Sequence, residues 1–266
     1  MNATLPALLV GLTSQVGGRA HNEDCARAGR SVFVVADGMG GHAAGEVASS
    51  IAAETILELD QRSVLHPGDV IAQVEEANRR ILASAAHHPE QTGMGTTVAG
   101  VAVVHVGASP HWAVFNLGDS RVYRLLDGEL RQVTVDHSQV WELVQRGELT
   151  PEQARNHPGR NVVTRTLGRE PMGQVDTWVF PPYAGERFLI CSDGLSNELT
   201  TAELEQVLTT VDDVQGAADE LVRRAVEAGA RDNVTAIVVA LPGVQSDLDE
   251  DTTPREQIDR GAGSQG

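Results

Sequence analysis

The chain predicts an α+β fold in which sheets pack together and helices lie outside them. Three observations lead there. Valine-rich apolar runs recur along the sequence. Two of them are joined by Asp127-Gly128, the dipeptide of a tight hairpin turn. The helical periodicities come in pairs rather than alternating one for one with strands, which argues against a β-α-β fold.

In chain order, Ser31 to Ala36 reads as a strand, followed by helices over Ala43 to Leu59 and Val70 to Ala86, both with apolar positions at helical spacing. Asp69 is placed to cap the second helix. A long strand over Thr96 to Val106 opens a meander through Trp112 to Leu117, Ser120 to Leu126 and Glu129 to Val133. The polar stretch from Asp136 to Met172 predicts two short helices, one starting at Thr150-Pro151-Glu152-Gln153 with threonine as cap and proline in the first turn. A strand over Arg187 to Cys191 follows. A short helix is expected over Thr200 to Leu208 and a longer one over Asp212 to Ala228, which Gly229 stops. Val234 to Leu241 is the last strand. The segment from Gln245 carries six acids against two bases and ends Gly-Ala-Gly-Ser-Gln-Gly, so residues 244–266 read as a disordered acidic tail behind one domain over 1–243.

Bulk properties narrow the function. The 266 residues carry a net charge of −17, of which the tail supplies four charges, so the globular part is itself acidic. That argues against nucleic acid or an anionic membrane as partner. No run approaches the roughly 20 apolar residues of a membrane span, and no leading basic segment marks a signal peptide. Cys25 and Cys191 form no C-x-x-C pair, which excludes a thiolate zinc site and fits a reducing, cytoplasmic compartment.

The chemistry is carried by aspartates. Val34-Val35-Ala36-Asp37-Gly38, Phe115-Asn116-Leu117-Gly118-Asp119, Leu189-Ile190-Cys191-Ser192-Asp193-Gly194 and Arg231-Asp232-Asn233-Val234 each set an aspartate at the end or start of an apolar run. Singly, each reads as a turn. Gathered at one end of a sheet, four carboxylates repel one another unless cations lie between them, and hard divalent ions prefer such oxygen ligands. Glu23-Asp24, one strand earlier, reaches the same end, and Arg19 is a natural phosphate clamp. The loop from Gly38 to Ala43 also parses as G-x-G-x-x-A with Asp60 about 20 residues on, a dinucleotide fingerprint. Asp37 argues against it, because a carboxylate there would face the pyrophosphate.

Arg19-x-x-Asn22-Glu23-Asp24, Ala36-Asp37-Gly38-Met39-Gly40-Gly41-His42-Ala43, Met94-Gly95-Thr96-Thr97, Gly118-Asp119-Ser120-Arg121, Asp136-His137-Ser138, Cys191-Ser192-Asp193-Gly194-Leu195 and Arg231-Asp232-Asn233-Val234-Thr235 follow one another in this order. Together they resemble the metal-dependent, type 2C protein serine/threonine phosphatases in their bacterial form, over about Leu12 to Leu241. The resemblance implies a central antiparallel β-sandwich flanked by pairs of α-helices, in α-β-β-α layers, with metals at one end. It matches Asp37 to the carboxylate bridging two core ions and Gly38 to a carbonyl ligand. Asp193 and Asp232 match ligands of one core ion, Glu23 a ligand of the other, and Asp119 the ligand of a third ion. Arg19 matches the contact to substrate phosphate, and residues 138–172 match a mobile flap. Met39 stands where many eukaryotic members carry a histidine, so the resemblance leaves either His42, the nearest imidazole, or a metal-bound water as the general acid, and His42 has the plainer reading of a surface or capping group. His137 reads as structural.

The expected activity is hydrolysis of phosphoserine and phosphothreonine in proteins by a hydroxide bridged between Mn2+ or Mg2+ ions, two in the core plus a third. The expected setting is signal transduction by a cytoplasmic monomer, its substrates including a serine/threonine kinase that it opposes. A member that binds phosphoproteins without turnover is the reading from another class, and the complete acidic set speaks against it.

Overall fold

The computed structural model describes residues 5–40, 44–155 and 157–243. The expected acidic tail and His42 lie outside the described residues.

Among the described residues eleven strands form two sheets, every neighbouring pair antiparallel. The strands are β1 (Leu9–Gln15), β2 (Asp24–Ala28), β3 (Val32–Met39), β4 (Gly95–Thr96), β5 (Val98–Val106), β6 (Ser109–Leu117), β7 (Arg121–Leu126), β8 (Glu129–Gln132), β9 (Asp176–Phe180), β10 (Arg187–Cys191) and β11 (Val234–Ala240). One sheet runs β1-β11-β10-β7-β8 and the other β2-β3-β5-β6-β9, with β4 on β3. The helices are α1 (Ala44–Leu57), α2 (Pro67–His87), α3 (Gln139–Gln145), α4 (Pro151–Arg155), α5 (Asp193–Ser196), α6 (Thr201–Thr210) and α7 (Val214–Glu227).

Strand alternation builds the layers. In β3, Phe33 and Val35 face the other sheet and meet Trp112, Phe188, Ile190 and Ile237, while Val32, Val34 and Ala36 face α1 and α2. On the other side, Leu189, Cys191, Ala236 and Val238 pack beneath α6 and α7. Three apolar layers thus separate four layers of backbone, the expected α-β-β-α order. Small side chains let α1 lie close: Ala44, Ala48, Ala52 and Ala53 are all buried against the sheet.

The turn chemistry explains several boundaries. Asp127 (φ 53°) and Gly128 (φ 80°) make the predicted hairpin with both central residues left-handed. Thr200 caps α6 and its own N–H is held by Glu203, while Asp213 rather than Asp212 caps α7. Asp69 does not cap α2. The helix starts earlier, at Pro67, and Asp69 reaches back to accept the N–H of His66 at 2.7 Å. The single strand expected over Thr96 to Val106 is divided at Thr97 into β4 and β5. β1, β2 and β9 are additional to the expected strands.

Residues 138–172, the expected flap, carry α3 and α4, while Leu167 near their end is fully buried in the apolar layer beneath α1 and α2. Thr150 caps α4 as predicted, accepting from Gln153 N at 3.3 Å. The neck is closed by a bridge between Ser138 and Val163.

Candidate metal centre

The ends of β3, β6 and β10 and the starts of β2, β7 and β11 converge at one pole of the sandwich. A cleft of about 510 Å³ opens there, lined by Arg19, Glu23, Asp37, Gly38, Asp119, Asp193 and Asp232, with Asn161 and Val163 of the flap forming a further wall. All five acids expected as ligands therefore share one cleft, although they come from segments more than 200 residues apart.

Backbone contacts hold Glu23 and Asp37 in place. Thr97 N donates to Asp37 O at 2.9 Å, and Asp37 N donates to Thr97 Oγ1 at 3.2 Å, so the break between β4 and β5 serves to grip Asp37. Gly38 N donates to Glu23 O at 3.1 Å, and Ser49 Oγ of α1 donates to the same oxygen at 2.6 Å. A methyl group at position 38 would lie 2.1 Å from Gly45 O, so glycine is required for α1 to approach the strand end. Asn233 ties the remaining segments together. Its Oδ1 accepts Glu23 N at 2.8 Å, and its Nδ2 donates to Val16 O and His21 O, both at 2.9 Å.

The electrostatics are those of crowded anions. Burial first, then the charges of Asp24, Asp193, Asp119 and Asp232, hold the Asp37 carboxyl well above the usual carboxylate range. Burial and the charges of Asp193 and Asp136 push Asp119 up to about 8. Asp193 is raised by burial and Asp232. Asp24, directly across from Asp37 in the β2–β3 register, is raised to about 7, chiefly by burial. Glu23 Oε1, Asp24 Oδ1 and Asp193 Oδ1 are buried and find no hydrogen-bond donor among the described residues. Hard divalent cations fit this donor set, since they take oxygen ligands and supply the missing positive charge. Among the described residues no three of these side chains are already drawn into a closed cage. They line the walls instead, as mutual repulsion favours.

Arg19 lies beside the acids but is engaged with them. Its Nη2 donates to Asp232 Oδ2 at 2.7 Å, and Nη1 stands 3.9 Å from Glu23 Oε2. Asp60, the acid that completed the dinucleotide pattern, is elsewhere. It accepts Arg30 N at 3.0 Å and Ser31 N at 2.7 Å and caps the β2–β3 turn. Three residues at the site stood in the sequence motifs without a role assigned to them: Asn233, Thr97 and Ser192, whose Oγ donates to Asp24 Oδ2 at 2.7 Å.

Comparison with known proteins decides the family. The family model described as protein phosphatase 2C matches residues 18–238. The chain belongs to the protein phosphatase 2C family. This phosphatase is 36% identical over 232 residues to the serine/threonine phosphatase stp of Listeria monocytogenes, covering 83% of this chain and 90% of that protein. It is 38% identical over 224 residues to the serine/threonine protein phosphatase PstP of Mycobacterium tuberculosis, covering 83% of this chain and 42% of PstP. The crystal structure of M. tuberculosis PstP superposes with a TM-score of 0.83 at 36% identity, covering 89% of this chain and all of that one. The PstP catalytic domain in complex with two manganese ions superposes with a TM-score of 0.80 at 34% identity, covering 89% of this chain and 99% of that one. The chain is thus a serine/threonine protein phosphatase of the metal-dependent 2C type, similar to these bacterial enzymes. Among the described residues no helix is long and apolar enough to cross a membrane.

Proposed function

We propose that this phosphatase hydrolyses phosphoserine and phosphothreonine in proteins at the carboxylate-lined cleft, opposing a serine/threonine kinase in the cytoplasm as a monomer built on a catalytic domain over residues 1–243. The supporting observation is the convergence of Glu23, Asp37, Asp119, Asp193 and Asp232 on one cleft while buried carboxylate oxygens there have no donor. In this reading Asp37, the Gly38 carbonyl, Asp193, Asp232 and Glu23 would hold two core cations between them, and Asp119 would hold a third. Divalent cations held there supply hydroxide at neutral pH and neutralise the phosphoryl oxygens.

The chain's own residues do the positioning. The Arg19 guanidinium grips phosphate oxygens in a fork. To do so it leaves Asp232, a short move for a side chain that is half exposed. Asn161 and Val163 wall the cleft from the flap side, so the leaving serine or threonine and its flanking peptide lie between flap and sandwich. His42 is kept as the candidate general acid.

Phosphate release from a phosphothreonine peptide, measured with Mn2+, with Mg2+ and with excess chelator, tests this reading. Turnover that stops with chelator and returns with either metal supports it. Turnover that survives full chelation overturns it.

A further inference from the structure

We infer that His137 is a positioning residue for Asp119 and ties the placement of that carboxylate to the neck of the flap. The inference rests on the proposed reading of Asp119 as the ligand of the third ion.

His137 holds both backbone polar groups of Gly118, the residue before Asp119. Gly118 N donates to His137 Nδ1 at 3.0 Å, and His137 N donates to Gly118 O at 2.9 Å. Asn116 Nδ2 donates to the same carbonyl at 3.1 Å. Gly118 has φ +126°, and a methyl group there would lie 2.5 Å from Thr97 Cβ. The backbone ahead of Asp119 is therefore held in a conformation that glycine permits and His137 fastens.

The proton on the imidazole follows from these contacts. Nδ1 accepts from Gly118, so the neutral ring carries its hydrogen on Nε2, which donates to Asp176 Oδ2 at 3.1 Å. Arg165 Nη1 lies beside this pair, 3.1 Å from Nε2 and 3.2 Å from the other oxygen, Asp176 Oδ1, to which it donates. His137 is only 5% exposed, and burial lowers its pKa, in keeping with a neutral ring.

The same residue belongs to the flap neck. Thr164 N donates to His137 O at 2.8 Å, next to the Ser138–Val163 bridge that closes the flap. A displacement of the neck is thus carried through one residue to the Gly118 peptide and on to Asp119. An ordinary core histidine would fill space. This one gives every backbone and ring atom capable of hydrogen bonding to either the flap, the Asp119 turn or β9.

The test uses four variants of the full chain. The amide oxygen of asparagine stands close to the place of Nδ1, whereas glutamine reaches toward Nε2. H137N therefore keeps an acceptor for Gly118, and H137A and H137Q do not. Mn2+ binding is followed by calorimetry, and hydrogen exchange of the Gly118 amide is followed in the metal-free protein. D119A is expected to lose the weakest Mn2+ site. H137A and H137Q are expected to weaken that site by about tenfold, the usual scale for a group that orients a ligand, and to expose the Gly118 amide to exchange. H137N is expected to stay near the parent in both readings. A merely structural role would lower stability without separating H137N from H137Q. If D119A loses a site and H137A does not, the inference is overturned while the reading of Asp119 stands. If D119A keeps every site, the reading of Asp119 fails, and the inference falls with it.

Discussion

Arg19 Nη2 and Asp232 Oδ2 are 2.7 Å apart, so the guanidinium suited to substrate phosphate rests on a carboxylate suited to metal. One cation thus serves two sets of anions. The pair is half exposed, so breaking it costs at most about 1 kcal/mol of stability. Arg19→Ala is expected to lower kcat/KM for a phosphothreonine peptide by about a hundredfold, the scale of removing one charged donor from a transition state. The unfolding midpoint should hardly move. Steady-state kinetics and thermal melting read both quantities. An unchanged kcat/KM would remove Arg19 from the phosphate site.

Crowded carboxylates set the pH behaviour of the metal-free protein. Asp24 and Asp119 titrate near 7 and 8 and Asp37 is also raised, against about 3.9 for an unfolded aspartate. The native state therefore binds more protons than the unfolded state between those values. Stability in chelator is expected to be greatest near the acid end of this window and to fall as pH rises through 7 to 8. Added Mn2+ should stabilise more at pH 8 than at pH 5.5. Denaturant melts at several pH values, with and without metal, check the sign.

Gly38 and Gly45 fix how closely α1 approaches the strand end. A methyl group at position 38 would meet Gly45 O at 2.1 Å, and turning a side chain cannot relieve the clash, because the obstacle is backbone. Gly38→Ala is expected to cost about 1–3 kcal/mol or more and to displace Glu23, which bonds to the Gly38 amide. Chemical denaturation measures the first effect and Mn2+ affinity the second.

The opposite pole carries a buried ion pair unconnected with the cleft. Glu186 is fully buried and accepts from Arg124 Nε at 2.6 Å, from Tyr183 N at 2.6 Å and from the Trp112 indole. Glu186→Ala strands the Arg124 charge and is expected to cost about 3–5 kcal/mol. Mn2+ affinity of the folded fraction should be unchanged. Parallel melts and metal titrations separate this purely structural loss from losses at the site.

What the sequence revealed follows burial. β5, β6, β7, β10 and β11 are flanked on both faces by apolar layers, so they read as valine-rich runs. β1, β2 and β9 are sheet edges, and edges admit water. Asp24-Cys25-Ala26-Arg27-Ala28 accordingly has no apolar run to find, and Leu9 of β1 is half exposed. The acids of the cleft were legible because a charged residue ending an apolar strand is anomalous. The roles of Asn233 and Thr97, though both stand in the sequence motifs, were not. Their work is to hold backbone groups of Glu23 and Asp37, and only the folded chain brings those partners together. The engagement of Arg19 by Asp232 has no local signature either, since 213 residues separate them.

Phosphate release from a phosphothreonine peptide by Asp37→Asn at saturating Mn2+ tests the central claim most directly. Asp37 is the acid on which four other carboxylates bear, and its amide replacement keeps the shape while removing the charge. The variant is expected to retain the native circular dichroism spectrum and to show no metal-dependent turnover. A folded Asp37→Asn protein with the activity of the parent would contradict the account.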